Sequence, residues 1–380
     1  MKLTLTPQQK AAHAEFRAFV DEQIAPHADR LDRDERTPPE MIRELARRGY
    51  LGAVLPREGG RGPLDMITYG LLHQEIGRGC SSLRSLVTVH DMVAGAVLKW
   101  GTPAQRERWL PGLAGGDVLG AFALTEPDAG SDAKGIETRA TLDGDDYILH
   151  GRKRWITYGQ IADLFLLFAQ CEGGPTAFLV ERGTPGLTTT PITGMLGFRA
   201  SMLAELHLDQ CRVPRAHLLG KPGFGVTPIA TMALDLGRYG VAWGCVGIAQ
   251  ACLEATIQYT GSRKQFGAHL KDHQLVQEKL SDMLTGIQAA RLLCYQAGFS
   301  KDVRDPQALV ATLMAKYFAS TMVNRVAGDA VQLHGANGCS ADYPVQRYLR
   351  DAKIMEIIEG STQIQQMLIA QHGCHWYATC

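Results

Sequence analysis

Apolar residues in positions 1–116 recur every three to four places, the spacing of one buried helix face. Thr6-Pro7-Gln8-Gln9 opens the first helix with an N-cap, a proline at the first helical position and a capping-box glutamine. Phe16, Phe19, Val20 and Ile24 then share one face. Thr37-Pro38-Pro39-Glu40 repeats the start signal, and Gly49 ends that helix. Gly59-Gly60-Arg61-Gly62-Pro63 is a loop, and helices resume over Ile67–Ile76 and Val87–Trp100. Near Asp117 the period changes to short alternating runs. Asp143-Gly144-Asp145 has the composition of a hairpin turn, and Leu164–Ala169 and Thr176–Val180 flank a Glu-Gly-Gly-Pro turn. Glu205-Leu206-His207-Leu208 alternates before Val213-Pro214. Lys221-Pro222-Gly223-Phe224-Gly225 is a linker, after which long helices are expected over 226–261, 273–300 and 306–335, then a closing pair. The fold class is α+β, in three parts: an α-helical domain over 1–116, a β domain over 117–220 and a helical bundle over 221–380.

Composition narrows the function classes. The 380 residues carry 39 basic and 39 acidic side chains, a balance unlike that of a nucleic-acid or polybasic membrane surface. No N-terminal signal pattern and no run of about 18 apolar residues is evident, so neither export nor a membrane span is expected. Nine cysteines occur without C-x-x-C spacing, which fits reduced thiols in a cytoplasm and no metal site. The G-x-G-x-x-G nicotinamide fingerprint is missing.

The candidate chemistry starts at Glu359-Gly360. Val345, Leu349, Ala352 and Met355 recur at helical spacing before it, and Ile364, Met367 and Leu368 do so after it. Gly360 permits a sharp turn and Ser361 is an N-cap for the second helix. A carboxylate desolvated at such a junction becomes a stronger base, suited to proton abstraction. A Glu before a Gly at a helix end is also what a solvated surface residue looks like. Upstream, Phe122-Ala123-Leu124-Thr125-Glu126-Pro127-Asp128-Ala129-Gly130-Ser131 offers hydroxyls and backbone N–H groups that can cradle a polar ring or a phosphate. In Lys153-Arg154-Trp155-Ile156-Thr157, Trp155 can stack on a ring while Thr157 bonds its edge.

These two stretches, at this spacing, resemble the acyl-CoA dehydrogenase family. The resemblance runs through Arg263-Lys264-Gln265-Phe266-Gly267 with Gln274, through Val331-Gln332-Leu333-His334-Gly335-Ala336-Asn337-Gly338, and on to Tyr343-Pro344, Arg347, Arg350-Asp351-Ala352-Lys353 and Glu359-Gly360. It implies FAD as cofactor, a helical domain, a middle β-barrel and a C-terminal four-helix bundle. It further implies that Phe122, Leu124, Thr125, Ser131, Trp155, Thr157, Ser361 and Gln363 hold the flavin. Arg263, Phe266, Gln274, Gln332 and Gly335 would reach flavin across a subunit interface, in a homodimer or homotetramer. Glu359 would be the base, an electron-transfer flavoprotein the kind of electron acceptor, and Asp235, Arg238 and Gly360 would lie near the thioester and its pantetheine arm. Ala336 and Ile358 depart from the family's usual glycine and tyrosine, and Ser361 from a threonine.

The substrate reading rests on Ser81–His90. Arg84 and Thr88 stand four residues apart on a helix, hence on one face. An Arg among apolar residues needs an anionic or polar partner, either a substrate group or an internal ion pair. The segment is similar to that of glutaryl-CoA dehydrogenases, where an Arg and a hydroxyl grip a distal carboxylate. Val241–Ile248, Asp272–Val276 and Lys353–Ser361 look still more like the dehydrogenases that make hydroxymalonyl- and methoxymalonyl-acyl-carrier-protein extender units for polyketides. That resemblance implies a three-carbon hydroxy- or oxoacyl group on an acyl carrier protein. Glutaryl-CoA, a plain short-chain acyl-CoA, and a flavin-binding relative without turnover are the alternatives.

Overall fold

The computed structural model describes residues 4–56 and 63–378. The Gly59–Gly62 part of the expected loop lies outside them. Helices fill the first third: α1 (Pro7–Phe19), α2 (Ala28–Asp34), α3 (Pro39–Arg48), α4 (Met66–Gly79), α5 (Ser81–Trp100) and α6 (Pro103–Gly115). The capping box at α1 forms as expected, with Thr6 and Gln9 bonding reciprocally, and Gly49 ends α3 at φ +78°. Thr102 and Gln105 make a second box at α6, which the sequence reading passed over. The Val87–Trp100 helix in fact starts at Ser81, because Cys80 takes an extended backbone and breaks one long pattern into α4 and α5.

Strands β1 (Gly120–Ala123), β2 (Arg139–Asp143), β3 (Asp146–Ile156), β4 (Leu164–Cys171), β5 (Gly174–Glu181), β6 (Leu187–Pro191), β7 (Ala204–Pro214) and β8 (Leu218–Leu219) form one sheet. Its order is β6-β7-β3-β2-β4-β5-β8, with β1 parallel to β4. Among the described residues the ladder leaves β6 and β8 as edges of this middle-domain sheet. Leu164, Leu166 and Phe168 of β4 face the core shared with α5 and α6. Phe165, Leu167 and Ala169 face the core shared with β3 and β7. Burial on both faces is why β4 reads as an unbroken apolar run.

The C-terminal bundle is α7 (Thr231–Ser262), α8 (Gln274–Asp302) and α9 (Ala308–His334), closed by α10 (Val345–Met355) and α11 (Thr362–Ala378). A two-strand hairpin, β9 (Lys264–Gln265) and β10 (Ala268–His269), joins α7 to α8. Helix α7 and the residues before it are long and apolar enough to cross a membrane by length and composition, which the search for apolar runs did not register. Most of that apolar surface is buried inside the protein: α7 packs on α4, α5, α8 and α9 and forms the spine of the largest core. Gly77 lets α4 approach until its missing Cβ would stand 3.0 Å from the Cα of Gly244.

Candidate active site

The turn between α10 and α11 carries the base candidate. Glu359 has φ +56° and Gly360 φ +91°, a left-handed pair that ends one helix before the next begins. Ser361 caps α11 by accepting from the Ile364 N–H at 3.4 Å. The turn's two carbonyls point at donors. Arg238 Nε donates to the Glu359 carbonyl at 3.0 Å, Lys316 Nζ to the Gly360 carbonyl at 2.7 Å, and Gln365 Nε2 reaches both at 3.2 and 3.1 Å.

The Glu359 side chain runs toward α7. Its Oε2 is buried without a hydrogen-bond partner, and a Cβ on Gly237 would meet that oxygen at 2.6 Å. Burial raises the carboxyl to about 7, while Arg238, Arg84 and Lys316 pull it down. A carboxyl in that range changes protonation near neutrality, as a general base should.

Helix α7 acts as a ruler from this carboxyl. Gly237 meets Glu359. A Cβ on Gly240 would meet His73 Cε1 at 3.0 Å and Thr88 Oγ1 at 3.3 Å, and one on Gly244 would meet Arg84 Cδ at 2.4 Å. With a rise of about 1.5 Å per residue, the Arg84 stem lies roughly 10 Å along α7 from the base. Arg84 is 1% exposed and forms no ion pair among the described residues. Its terminal nitrogen donates to Thr88 Oγ1 at 2.8 Å, and its Nε has no partner. The Thr88 hydroxyl donates in turn to the Arg84 carbonyl at 3.0 Å. Its proton is therefore engaged, and its acceptor face holds the guanidinium in place. His73 is fully buried with both ring nitrogens unpartnered, and burial holds it neutral. The sequence reading missed His73, Lys316 and Gln365, which carry no motif; only their isolation on apolar helix faces set them apart. Asp235 pairs with Lys301, one turn of α7 before Arg238.

The β-module residues stand along another wall. Trp155 ends β3 in a left-handed conformation, φ +63°, and is 44% exposed. An aromatic ring held out of the core at a strained position offers a face for stacking. Thr125 and Thr157 are half-buried and Ser131 exposed, and the Arg154 N–H donates to the Thr125 carbonyl at 2.9 Å, which ties that turn to β3 next to Trp155. Leu124 instead packs into the core shared with α5 and α6, and Phe122 packs against it with its ring tilted on Phe168 at 5.1 Å, so neither side chain is free to face a ring as the resemblance implies. Buried Lys153 donates to Glu126 Oε1 at 2.6 Å and to the Leu124 carbonyl at 3.2 Å. Glu126 also accepts from the Glu137 and Thr138 N–H groups, which fixes the turn. An apolar stacking face beside the Thr125 turn fits an isoalloxazine ring.

Arg263, Phe266, Gln274, Gln332 and Gly335 are all exposed, at the opposite end of α7. Tyr259 stacks on His334 at 4.3 Å and accepts from Asn337, which brings the hairpin end of α7 to the 335–339 loop. Arg263 lies 26 residues beyond Gly237, about 39 Å along the helix. Gln363 is exposed near the start of α11.

Comparison with known proteins agrees with this architecture. The chain matches the acyl-CoA dehydrogenase N-terminal domain over residues 6–117, the middle domain over 121–211 and the C-terminal domain over 225–373. It belongs to the acyl-CoA dehydrogenase family, FAD-dependent oxidoreductases. It is 38% identical over 362 residues to the mitochondrial short-chain specific acyl-CoA dehydrogenase of Rattus norvegicus, covering 94% of this chain and 87% of that one. Among solved structures, butyryl-CoA dehydrogenase from Megasphaera elsdenii superposes with a TM-score of 0.93 at 36% identity, over 98% of this chain and 99% of that one. The glutaryl-coenzyme A dehydrogenase–glutaryl-CoA complex does so at 0.93 and 36%, over 98% and 97%. FkbI, described as serving biosynthesis of a methoxymalonyl extender unit, does so at 0.85 and 34%, over 96% and 99%.

Proposed function

We propose that this enzyme oxidises a short acyl thioester whose far end is polar, a three-carbon hydroxy- or oxoacyl group on an acyl carrier protein, with Glu359 as the base. The observation that carries the reading is Arg84: a buried cation without an ion pair among the described residues, its stem packed on the same helix α7 that faces Glu359, roughly 10 Å along it. A cation in that setting calls for an anionic or strongly polar partner. The likeness to FkbI supports the choice of a carrier-bound substrate. Glutaryl-CoA is the second reading, favoured by the same Arg84 and by the likeness to the glutaryl-CoA complex.

In this reading Glu359 takes a proton from the substrate, with the Glu359–Gly360 turn holding the carboxylate in place. Trp155, Thr157, Thr125 and Ser131 would hold FAD, which when bound would supply the acceptor for the departing hydride. Ser361 and Gln363 border the same cofactor. Arg238 braces the turn beside the thioester, while Asp235 and Lys301 border the arm. Arg263, Phe266, Gln274, Gln332 and Gly335 sit too far along α7 to serve the same protomer's base, so they complete the site of a second copy. An electron-transfer flavoprotein is the expected acceptor of the electrons, and the cytoplasm the expected setting. Anaerobic flavin bleaching tests the reading: the three-carbon hydroxy- or oxoacyl carrier protein should bleach the flavin faster than glutaryl-CoA or butyryl-CoA. Preferential bleaching by butyryl-CoA would overturn it.

A further inference from the structure

The Glu359–Gly360 turn is held by two cations and an amide from three helices. Lys316 of α9 is fully buried, as is Gln365 of α11, and Arg238 of α7 is 8% exposed. Lys316 forms no ion pair among the described residues; its ammonium donates to the Gly360 carbonyl at 2.7 Å. A buried ammonium is costly without a counter-charge. A neutral donor, such as the neighbouring Gln365 amide, satisfies the same kind of carbonyl. What the ammonium adds is its field. It acts beside a carboxyl that has lost its hydration and must become charged to work. Glu359, a non-glycine residue at φ +56°, makes the turn a strained element that persists only while its surroundings hold it, whereas Gly360 takes its φ freely.

We propose that Lys316 is a positioning residue for the reaction: its charge, delivered through the Gly360 carbonyl, holds the base's turn in its left-handed form and strengthens the ionised state of Glu359. The proposal rests on Glu359 being the base. The groups facing Glu359 and Lys316 are few. Arg238, Cys245 and Asp235 come from α7, Asp235 being paired to Lys301 of α8. Arg84 comes from α5, with His73 of α4 beside it. Glu356, at the end of α10, is paired to Lys353. Burial lowers Lys316 to about 8, so it is still largely protonated at neutral pH when Glu359 ionises.

The test compares Lys316→Met, which removes donor and charge, with Lys316→Gln, which keeps a donor and removes charge. Flavin reduction by a short acyl thioester is followed anaerobically against pH in FAD-loaded enzyme, with Glu359→Gln in parallel. Both Lys316 variants should shift the acidic limb of the rate profile upward by about one pH unit, the size expected for losing a charge at this range in a protein interior. At neutral pH the rate should fall roughly fivefold, and much of it should return on the alkaline side of the limb. Lys316→Gln should retain more of its alkaline rate than Lys316→Met. A limb unmoved in both variants, with Glu359→Gln inactive, overturns the role of Lys316 and leaves the base in place. A uniform loss of rate at every pH, with lower melting temperature, assigns Lys316 to structure alone and also overturns the proposal. Wild-type bleaching by Glu359→Gln removes the base assignment and this proposal with it.

Discussion

The Glu359 carboxyl is raised to about 7 because burial disfavours its charged form more than the nearby cations favour it. The folded protein therefore holds that proton more tightly than the unfolded chain does. Stability from this group is fully present below the unfolded value of 4.5 and is lost as pH rises toward 7. Glu359→Gln should consequently stabilise the protein by about 1–3 kcal/mol at mildly alkaline pH and by little at pH near 4. Thermal melts at the two pH values check this. The same variant should cut flavin reduction about 10²–10⁴-fold while flavin content stays near wild type. Arg84 presents a different balance, since it has a neutral partner in Thr88 and no anion. Arg84→Ala should lower kcat/KM for the polar substrate about 30-fold or more, corresponding to a loss of about 2–5 kcal/mol, and should spare butyryl-CoA. Thr88→Val should act in the same direction more weakly, by loosening Arg84, whose guanidinium it holds. Equal losses on both substrates would make Arg84 a structural residue.

Helix α7 is the element on which the site is laid out, and its glycines are the reason. A Cβ on Gly247 would come within 2.1 Å of the Gln74 carbonyl oxygen, a backbone atom of α4. On Gly244 the clash falls on the Arg84 side chain. On Gly261 a Cβ meets nothing within 4 Å. Three alanine variants therefore separate three outcomes. Gly247→Ala should force α4 and α7 apart and lower the melting temperature, in line with the ~1–3 kcal/mol typical of overpacking. Gly244→Ala should displace Arg84, reducing the preference for the polar substrate more than it reduces stability. Gly261→Ala should be neutral or stabilising by up to about 1 kcal/mol, since alanine restricts the unfolded chain. Equal melting temperatures for Gly247→Ala and Gly261→Ala would mean that the α4–α7 approach is not tight.

At the scale of the whole molecule, Glu359 and the Arg263 hairpin stand at opposite ends of a 32-residue helix. Phe266 at the hairpin tip is 98% exposed, and Leu275, Leu284, Leu292 and Phe299 are exposed along α8. Apolar surface of that extent marks an interaction site in a chain with no net charge to keep copies apart. If Arg263 serves the neighbouring protomer, a mixture of Arg263→Ala and Glu359→Gln chains should regain activity. In a mixed dimer one site then has both an intact base and an intact Arg263. Co-refolded mixtures should reach about half the wild-type rate per dimer, diluted by inactive parental dimers, on the expectation that oligomers are symmetric. Activity no higher than that of either parent would place Arg263 outside the partner's site. Phe266→Asp should weaken both association and FAD retention, read by sedimentation and by absorbance of the bound flavin.

Much of this was legible in the chain because the physics involved is local. Helix starts at Thr6 and Pro38–Pro39, the stop at Gly49, the Gly144 hairpin and the Glu359–Gly360 break all depend on backbone preferences within a few residues. Periodicity marked the shift from helix to strand near residue 117, and the spaced motifs marked the family. Other features depended on contacts between distant segments. The sequence places Arg84 and Thr88 on one helix face; only the fold shows that Arg84 lacks an ion pair among the described residues and that the Thr88 proton is already committed. It shows Glu359 before a glycine; only the packing of α7 strips water from its carboxyl and raises it toward neutrality. Lys316 and Gln365 are ordinary polar residues in helical patterns. They become parts of the site because α9 and α11 fold against one strained turn, and burial of that kind is a property of tertiary packing that no single segment encodes.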